Sequence, residues 1–182
     1  MVIDRQKMDF LQICTYGKYW KYLLASLCVF AAGVILGFVV PNCVGAETTE
    51  IIRYWLTPAP YLKLVGIDFH SPYWIHFLEF SLCHQPELLI AIFGGYLFAI
   101  PSVVAVFGEG FEWSFMRSIV DDFTISALEF AQYSFGYTSI VLAGVLGFYV
   151  AVKRPHPKKL VKWALLCMAL MIVNDLLEAA RV

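Results

Sequence analysis

Apolar residues are gathered into four long runs along the chain, separated by more polar segments. The runs cover residues 20–40, 86–107, 133–152 and 160–179. Because about 20 apolar residues are needed to cross a bilayer, each run predicts a membrane-spanning helix. In the second run, Pro86 suits the first turn of a helix, and Pro101 is expected to kink or weaken the helix near its far end.

A further segment, residues 114–132, has the pattern of an amphipathic helix. Apolar side chains such as Met116, Phe123 and Phe130 form one stripe of this helix. The opposite stripe is polar and contains Ser114, Arg117, Asp121, Asp122, Ser126, Glu129 and Gln132. Such a helix either lies along the membrane surface or crosses the membrane with its polar stripe turned towards neighbouring helices.

The distribution of basic residues favours the crossing. One basic cluster, Arg5, Lys7, Lys18 and Lys21, precedes or opens the first run, and another lies in the loop KRPHPKK at residues 153–159. Basic residues concentrate on the cytoplasmic side of a membrane, and a fifth crossing between the two clusters places both there. Moreover, anionic lipid would repel the three acids of this segment. The pattern predicts five spans, a cytoplasmic N-terminus and a C-terminus on the outside.

Residues 41–85 are too polar and too rich in proline to span a bilayer. Within them, residues 73–83 predict an amphipathic helix whose aromatic side chains are typical of the lipid headgroup level. The predicted fold is therefore all-α. It is a single membrane domain over residues 1–182, a polytopic bundle of five spans with an interfacial amphipathic helix between the first and second.

Composition agrees with an integral membrane protein. Of the 182 residues, 60% are hydrophobic and only 15% are charged, whereas a soluble domain needs far more surface charge. The net charge of −1 gives no basic footprint for nucleic acid, so the expected partners are membrane lipid and other membrane proteins. The five cysteines form no CxxC pair, and no nucleotide-binding or triad motif is present. We expect neither an enzyme nor a cofactor.

The charged residues of the predicted middle span are the first candidates for chemistry. They are Glu109, Arg117, Asp121, Asp122 and Glu129. Each charge at the centre of a bilayer costs roughly 2.5–3.5 kcal/mol. Arg117 and Asp121 lie one turn apart and can pair. The other acids either serve a proton or cation pathway or lie in water at the interface, and both interpretations stay open.

Two smaller groups of polar residues are also candidates. His76, Glu79 and Cys83 share one face of the predicted interfacial helix, which would allow a zinc site, although ordinary polar residues at an interface are the favoured explanation. Asp175 and Glu178 lie near the end of the last span. Either Glu178 pairs with Arg181 at the helix end, or these acids contact a neighbouring helix.

Small residues at helical spacing predict close packing between helices. Gly33 and Gly37 form such a pair in the first span, and Ala143 and Gly147 form one in the fourth. Because glycine and alanine let two helix backbones approach closely, these faces favour a homo-oligomer or another close helix contact.

Several stretches, in this order, carry a resemblance to a known family. They are LCVFAAGVILGFVVP, PELLIAIFGGYLFAIPSVVAVFGEGF, SFGYTSIVLAGVLGFYVA and MIVNDLLEAARV. Together they resemble the stage II sporulation protein M family of bacterial and archaeal membrane proteins. Gly136 matches a family glycine and Glu178 a family acidic position. Phe135 and Ser139 stand where the family has His and Glu, so the chain resembles a divergent member.

The resemblance implies a function without catalysis. Sporulation members of the family act as membrane scaffolds that recruit partner proteins, and the same role is expected for this chain, in the cell membrane and as a homo-oligomer. The alternative is a small proton- or cation-coupled transporter or channel that uses carboxylates within the membrane. A water-accessible cavity lined by the polar stripe of residues 114–132 would favour the transporter, whereas pairing of those carboxylates and an apolar patch or groove facing a partner would favour the scaffold.

Overall fold

The structure is a computed structural model of the chain that describes residues 20–56, 72–119 and 126–181. All regular structure in these ranges is helical, which confirms the all-α class. The α-helices are α1 (Trp20–Cys43), α2 (Ala46–Leu56), α3 (Tyr73–Phe93), α4 (Ile100–Ser118), α5 (Ala127–Lys153) and α6 (Val161–Ala179), with short 3-10 turns at Gly94–Leu97 and Pro157–Lys159.

Two helices of the described ranges, α1 and α5, are long and apolar enough to cross a membrane. This finding favours an association with a membrane. The remaining long helices carry more charged residues, including His84 and Glu87 in α3 and Glu109 and Glu112 in α4. A test of length and apolarity does not identify helices of that kind as spans.

Helix α5 lies at the centre of the bundle and packs against α1, α3, α4 and α6. The buried core is formed by apolar residues of α3 to α6, among them Leu88, Val106, Ile140 and Met171. Hydroxyl groups also join the helices, because Ser26 donates to the carbonyl oxygen of Val141 at 2.9 Å. A serine bonded in this way keeps its hydroxyl satisfied inside the bundle.

The small-residue face of α1 packs against α4 of the same chain. A Cβ atom added at Gly33 would collide with the carbonyl oxygen of Phe107, and one at Gly37 with that of Phe111. Likewise, Gly147 of α5 lies against the carbonyl oxygen of Ala91. Since these contacts are internal, Gly33, Gly37 and Gly147 leave no open face for a second copy at these positions.

The predicted second span, residues 86–107, is wrong in its boundaries. Helix α3 begins at Tyr73, so the predicted interfacial helix and the start of the second span form one helix with Pro86 inside it. Helix α3 ends at Phe93, and positive φ angles at Phe98 (60°) and Ala99 (64°) separate it from α4. Helices α3 and α4 thus form a hairpin, where the sequence pattern predicted one continuous span.

The predicted helix over residues 114–132 is also divided. Helix α4 ends at Ser118, and α5 begins after Ser126. The hydroxyl of Ser126 accepts from the backbone N–H of Glu129 at 3.1 Å, and the carboxylate of Glu129 accepts from the N–H of Ser126 at 2.9 Å. This capping box starts a new helix. Asp121 and Asp122 lie outside the described residues.

At the other end of the bundle, the turn between α3 and α4 is joined to the loop between α5 and α6. The Tyr96 hydroxyl donates to the carbonyl oxygen of Pro155. In return, the Arg154 guanidinium donates to the carbonyl oxygen of Tyr96 at 2.9 Å and lies over the Phe98 ring. The two helical hairpins are therefore connected at this end.

Candidate functional site

A polar cavity of about 320 Å³ lies among α3, α4, α5 and α6. It is located towards the end of the bundle where α4 and α6 finish and α5 begins. The polar side chains that line it are His84, Glu109, Glu112, Gln132, Asn174, Glu178 and Arg181, together with the aromatic rings of Trp113, Tyr133 and Tyr137. The cavity therefore gathers groups from all four helices.

Acidic groups outnumber basic groups at this cavity. The lining contains the carboxyl groups of Glu109, Glu112 and Glu178, whereas its basic groups are His84 and Arg181. Asp175 adds a further acid directly behind His84. Charges taken out of water need partners of opposite sign, so these carboxyl groups require protons, cations or basic side chains beside them.

His84 and Asp175 form the closest polar contact between α3 and α6. The His84 Nδ1 atom lies 2.6 Å from Oδ1 of Asp175, whose side chain is fully buried. The Ser81 hydroxyl donates to the second carboxylate oxygen of Asp175 at 2.9 Å. Both oxygens of this buried acid therefore have partners on the neighbouring helix.

Glu178 lies one turn beyond Asp175 and completes a cluster with it and His84. One possible ligand atom from each of these three side chains lies within 4.8 Å of the other two. The Asn174 amide lies 3.5 Å from a carboxylate oxygen of Glu178 and 3.4 Å from Oδ1 of Asp175. Histidine and carboxylate groups at this spacing are suited to a metal ion.

A pair of carboxyl groups lies beside this cluster. Glu87 and Glu109 are close enough to interact electrostatically, and each of them also interacts with Glu112 in the same region. Two carboxylates in contact repel each other unless a proton or a cation lies between them. The α3–α4 hairpin creates the pair, because Glu87 and Glu109 lie at similar distances from its turn.

One wall of the cavity is aromatic. The ring of Trp113 packs edge-on against Tyr133 and Tyr137, with centroid distances of 5.6 and 5.3 Å. Within the described residues, the buried Trp113 Nε1 and Tyr137 Oη atoms have no hydrogen-bond partner. Because buried polar atoms are almost always satisfied, these two atoms are available to bind water or a polar ligand.

Glu129 lies at the rim of the cavity. Its carboxylate accepts from Arg181 and lies 4.0 Å from the guanidinium of Arg117. Arg181 also donates to the side chain of Gln132. The structure thus places Arg117 beside Glu129. The predicted pair between Arg117 and Asp121 stays a prediction, because Asp121 lies outside the described residues.

The three residues predicted as a possible zinc site do not converge. His76 Nδ1 lies 3.7 Å from Glu79 Oε2, and both side chains are buried, but Cys83 is exposed. In the part of the chain that the structure describes, His84, Asp175 and Glu178 form the metal-compatible group. The interpretation of His76, Glu79 and Cys83 as zinc ligands is therefore wrong.

Sequence reasoning found part of the cavity. Glu109, Asp175 and Glu178 were candidates, and all three belong to the cavity or its wall, but they come from different predicted groups. The sequence did not indicate that His84, Glu87, Glu112 and Asn174 belong to the same site as these three. Glu87 and Glu112 interrupt or border apolar runs of the sequence. A charged residue in such a position was the signal that could have identified them.

Comparison of the chain with protein-family models, with curated proteins and with solved structures gives no match. The resemblance to the stage II sporulation protein M family therefore stays a prediction, and the cavity carries the functional argument.

Proposed function

We propose that this chain is a multi-pass membrane protein that takes cations into the acidic cavity among α3, α4, α5 and α6 and conducts or transports them. The single observation that carries this proposal is a cavity with at least three carboxyl groups and one guanidinium group among its lining residues. Acidic groups inside membrane bundles are costly and commonly mark ion or proton pathways.

The proposed topology has five crossings, formed by α1, α3, α4, α5 and α6. The N-terminus lies in the cytoplasm, α2 lies on the outer side, and the C-terminus is outside. This arrangement places the basic loop at 153–159 and the N-terminal basic cluster on the same side, in accordance with the distribution of basic residues in membrane proteins. It keeps the predicted number of spans but assigns the second and third to the α3–α4 hairpin.

In this topology the cavity lies in the outer half of the membrane. The residues at its rim, Gln132 and Arg181, are close to helix ends that face outwards, whereas Tyr96 and Pro155 mark the cytoplasmic end. Cations from the outer side would reach Glu112 and Glu178 first. Helices α3 and α4 contain charged residues that are unsuited to contact with lipid. In the proposed topology these residues lie on faces that point into the bundle.

The scaffold role stays a prediction of the family resemblance. The small-residue faces of α1 and α5 are used inside the chain. A transporter was expected to have a cavity lined by residues 114–132, and the observed cavity contains Met116 and Gln132 of that segment but takes its carboxyl groups from other positions. Because those carboxyl groups meet in one cavity, we place cation transport before a scaffold role.

Flux through reconstituted protein tests the proposal. The purified chain is placed in sealed liposomes that contain a pH-sensitive dye or a Zn²⁺-sensitive dye, and H⁺ and Zn²⁺ entry are followed. We expect cation entry with wild type, and at least tenfold slower entry with Glu112→Gln and Glu109→Gln. Glu47→Gln, at an exposed position of α2, is the matched control. Wild-type liposomes no more permeable than empty ones would overturn the proposal.

Labelling in sealed vesicles tests the topology independently. Single cysteines at Lys158 and at Ser126, in a chain without other cysteines, are exposed to a membrane-impermeant thiol reagent. Five crossings predict that Lys158→Cys and Ser126→Cys react from opposite sides. Reaction of both from the same side would contradict the proposed arrangement of α5.

A further inference from the structure

The contact between α3 and α6 combines donor groups of different chemistry. His84 offers an imidazole nitrogen, and Asp175 and Glu178 offer carboxylate oxygens, with one ligand atom of each within 4.8 Å of the others. Asp175 is fully buried, and the exposed fraction of the His84 side chain is 22%. The group is therefore enclosed by the bundle yet reaches the cavity through His84 and Glu178.

We propose that His84, Asp175 and Glu178 form a binding site for a divalent first-row transition-metal ion of the Zn²⁺ or Mn²⁺ type. Zn²⁺ lies about 2.0–2.2 Å from imidazole nitrogen and carboxylate oxygen, so two ligands of one tetrahedral ion are about 3.4 Å apart. The contact of 2.6 Å between His84 Nδ1 and Asp175 Oδ1 is shorter than this spacing, so metal binding requires these two atoms to move apart by roughly 0.8 Å.

The mixture of ligands determines the class of metal. Imidazole favours Zn²⁺, Fe²⁺ and other transition ions, whereas Ca²⁺ and Mg²⁺ prefer oxygen ligands alone. His84 therefore discriminates against Ca²⁺ and Mg²⁺. The described group lacks a thiolate ligand, which disfavours Cu⁺ as the preferred ion.

Neighbouring polar groups orient the proposed ligands. The Ser81 hydroxyl donates to Oδ2 of Asp175 at 2.9 Å and leaves the other oxygen directed at His84. The Asn174 amide lies 3.5 Å from Glu178 Oε2. Partners of this kind hold metal ligands in position, and their loss commonly lowers metal affinity.

Acidic residues outside the group supply a second argument. Glu109 and Glu112 line the same cavity as His84 and Glu178. The paired carboxyl groups of Glu87 and Glu109 add further negative charge nearby. A divalent cation offsets this excess of acid, and a neutral or anionic ligand does not.

This inference rests on the proposed function for its role, since a metal site beside the cavity makes a transition-metal ion the cation that is taken in. The metal site can be tested without a flux measurement, because metal binding to the purified full chain is measured in detergent. Metal binding without flux would support the metal site and contradict transport. Proton flux without metal binding would support transport and contradict the metal site.

Metal titration of the full chain in detergent, stripped beforehand with a chelator, is the decisive experiment. We expect one equivalent of Zn²⁺ by calorimetry and one equivalent of Mn²⁺ by paramagnetic resonance, with no heat from Mg²⁺ at the same concentration. His84→Gln and Glu178→Gln should each weaken both metals at least tenfold. Matched controls are His156→Gln, in the basic loop, and Glu47→Gln, and they should bind as wild type does.

Two further measurements keep the test decisive. Circular dichroism and gel filtration show whether each variant is folded. If His84→Gln does not fold, Glu178→Gln alone serves as the site variant. A chain without cysteines should bind Zn²⁺ as wild type does, because no thiol belongs to the site. The proposal is overturned if wild type binds neither metal, if both site variants bind normally, or if binding is lost with the cysteines.

Discussion

The guanidinium of Arg181 donates to the carboxylate of Glu129, which joins the C-terminal end of α6 to the first turn of α5. The same carboxylate also closes the capping box with Ser126. One acidic side chain thus begins a helix and fastens its neighbour, at the rim of the cavity.

Substitutions at Glu129 should separate these two roles. Glutamine at this position can still complete a capping box but cannot form an ion pair, so Glu129→Gln should lower stability only slightly. Glu129→Ala removes both the ion pair and the bond from the Ser126 N–H, while the Ser126 hydroxyl keeps its backbone partner. It should cost about 1–2 kcal/mol, since a hydrogen bond contributes about 0.5–1.5 kcal/mol and an exposed ion pair less than about 1 kcal/mol. Unfolding in mixed micelles measures the difference. Equal losses from the two variants would mean that the cap contributes nothing.

His84 and Asp175 should show strong energetic coupling. Replacing either one by leucine leaves the other buried without its partner, and a broken buried pair typically costs about 3–5 kcal/mol. The double variant His84→Leu/Asp175→Leu should recover a large part of that loss, because neither member of the pair is then left buried without the other. A double-mutant cycle measured by unfolding in mixed micelles gives the coupling free energy.

Tyr73→Phe is a suitable reference for that cycle. The Tyr73 hydroxyl donates to the carbonyl oxygen of Leu176 at 3.0 Å, so it also joins α3 to α6, but at an exposed position. Its loss should cost about 0.5–1.5 kcal/mol. If Tyr73→Phe lowers the free energy of unfolding as much as His84→Leu does, any contact between α3 and α6 is equally important for stability. The buried pair would then contribute no more than an exposed contact.

The close contact between α1 and α4 should not tolerate a larger residue at Gly37. A side chain there would collide with Phe111 and Ser114 of α4, and overpacking typically costs about 1–3 kcal/mol. Gly37→Leu should therefore lower the thermal midpoint in detergent. Gly108→Leu is the matched control, because nothing lies within 4 Å of a Cβ atom added at Gly108. A similar midpoint for both variants would contradict the packing argument.

A larger residue at Gly136 should affect function more than folding. Gly136 lines the cavity, and a Cβ atom there would approach the side-chain oxygen of Asn174 at 2.7 Å. Gly136→Leu is expected to fill part of the cavity and to slow cation entry into liposomes at least fivefold. The helix content should stay that of wild type. Unchanged entry in a folded variant would place the cation route elsewhere.

The helical class was predictable because long apolar runs leave few alternatives, but the boundaries were not. Proline is usually found in the first turn of a helix, yet Pro86 lies inside α3. The break at Phe98 and Ala99 uses residues that rarely adopt positive φ, so local sequence gave little sign of it. Gly94 and Gly95, just before the break, were the residues from which it could have been predicted.

The cavity was less predictable than the fold because its groups come together only through helix packing. His84 and Asp175 are 91 residues apart, and neither belongs to a motif. A single sequence shows that charges occur within apolar runs, but not which of them meet. The predicted stripe of Arg117, Asp121, Asp122 and Glu129 assumed one continuous helix, and the division after Ser118 removed that basis.

The bond between Tyr96 and Pro155, together with that between Arg154 and Tyr96, links the two hairpins at the end of the bundle that is remote from Arg181. These bonds oppose sliding of one hairpin past the other at that end. A cation that followed the proposed route inwards from the mouth beside Arg181 would meet this link last. Transport along that route should therefore respond to the loss of these bonds.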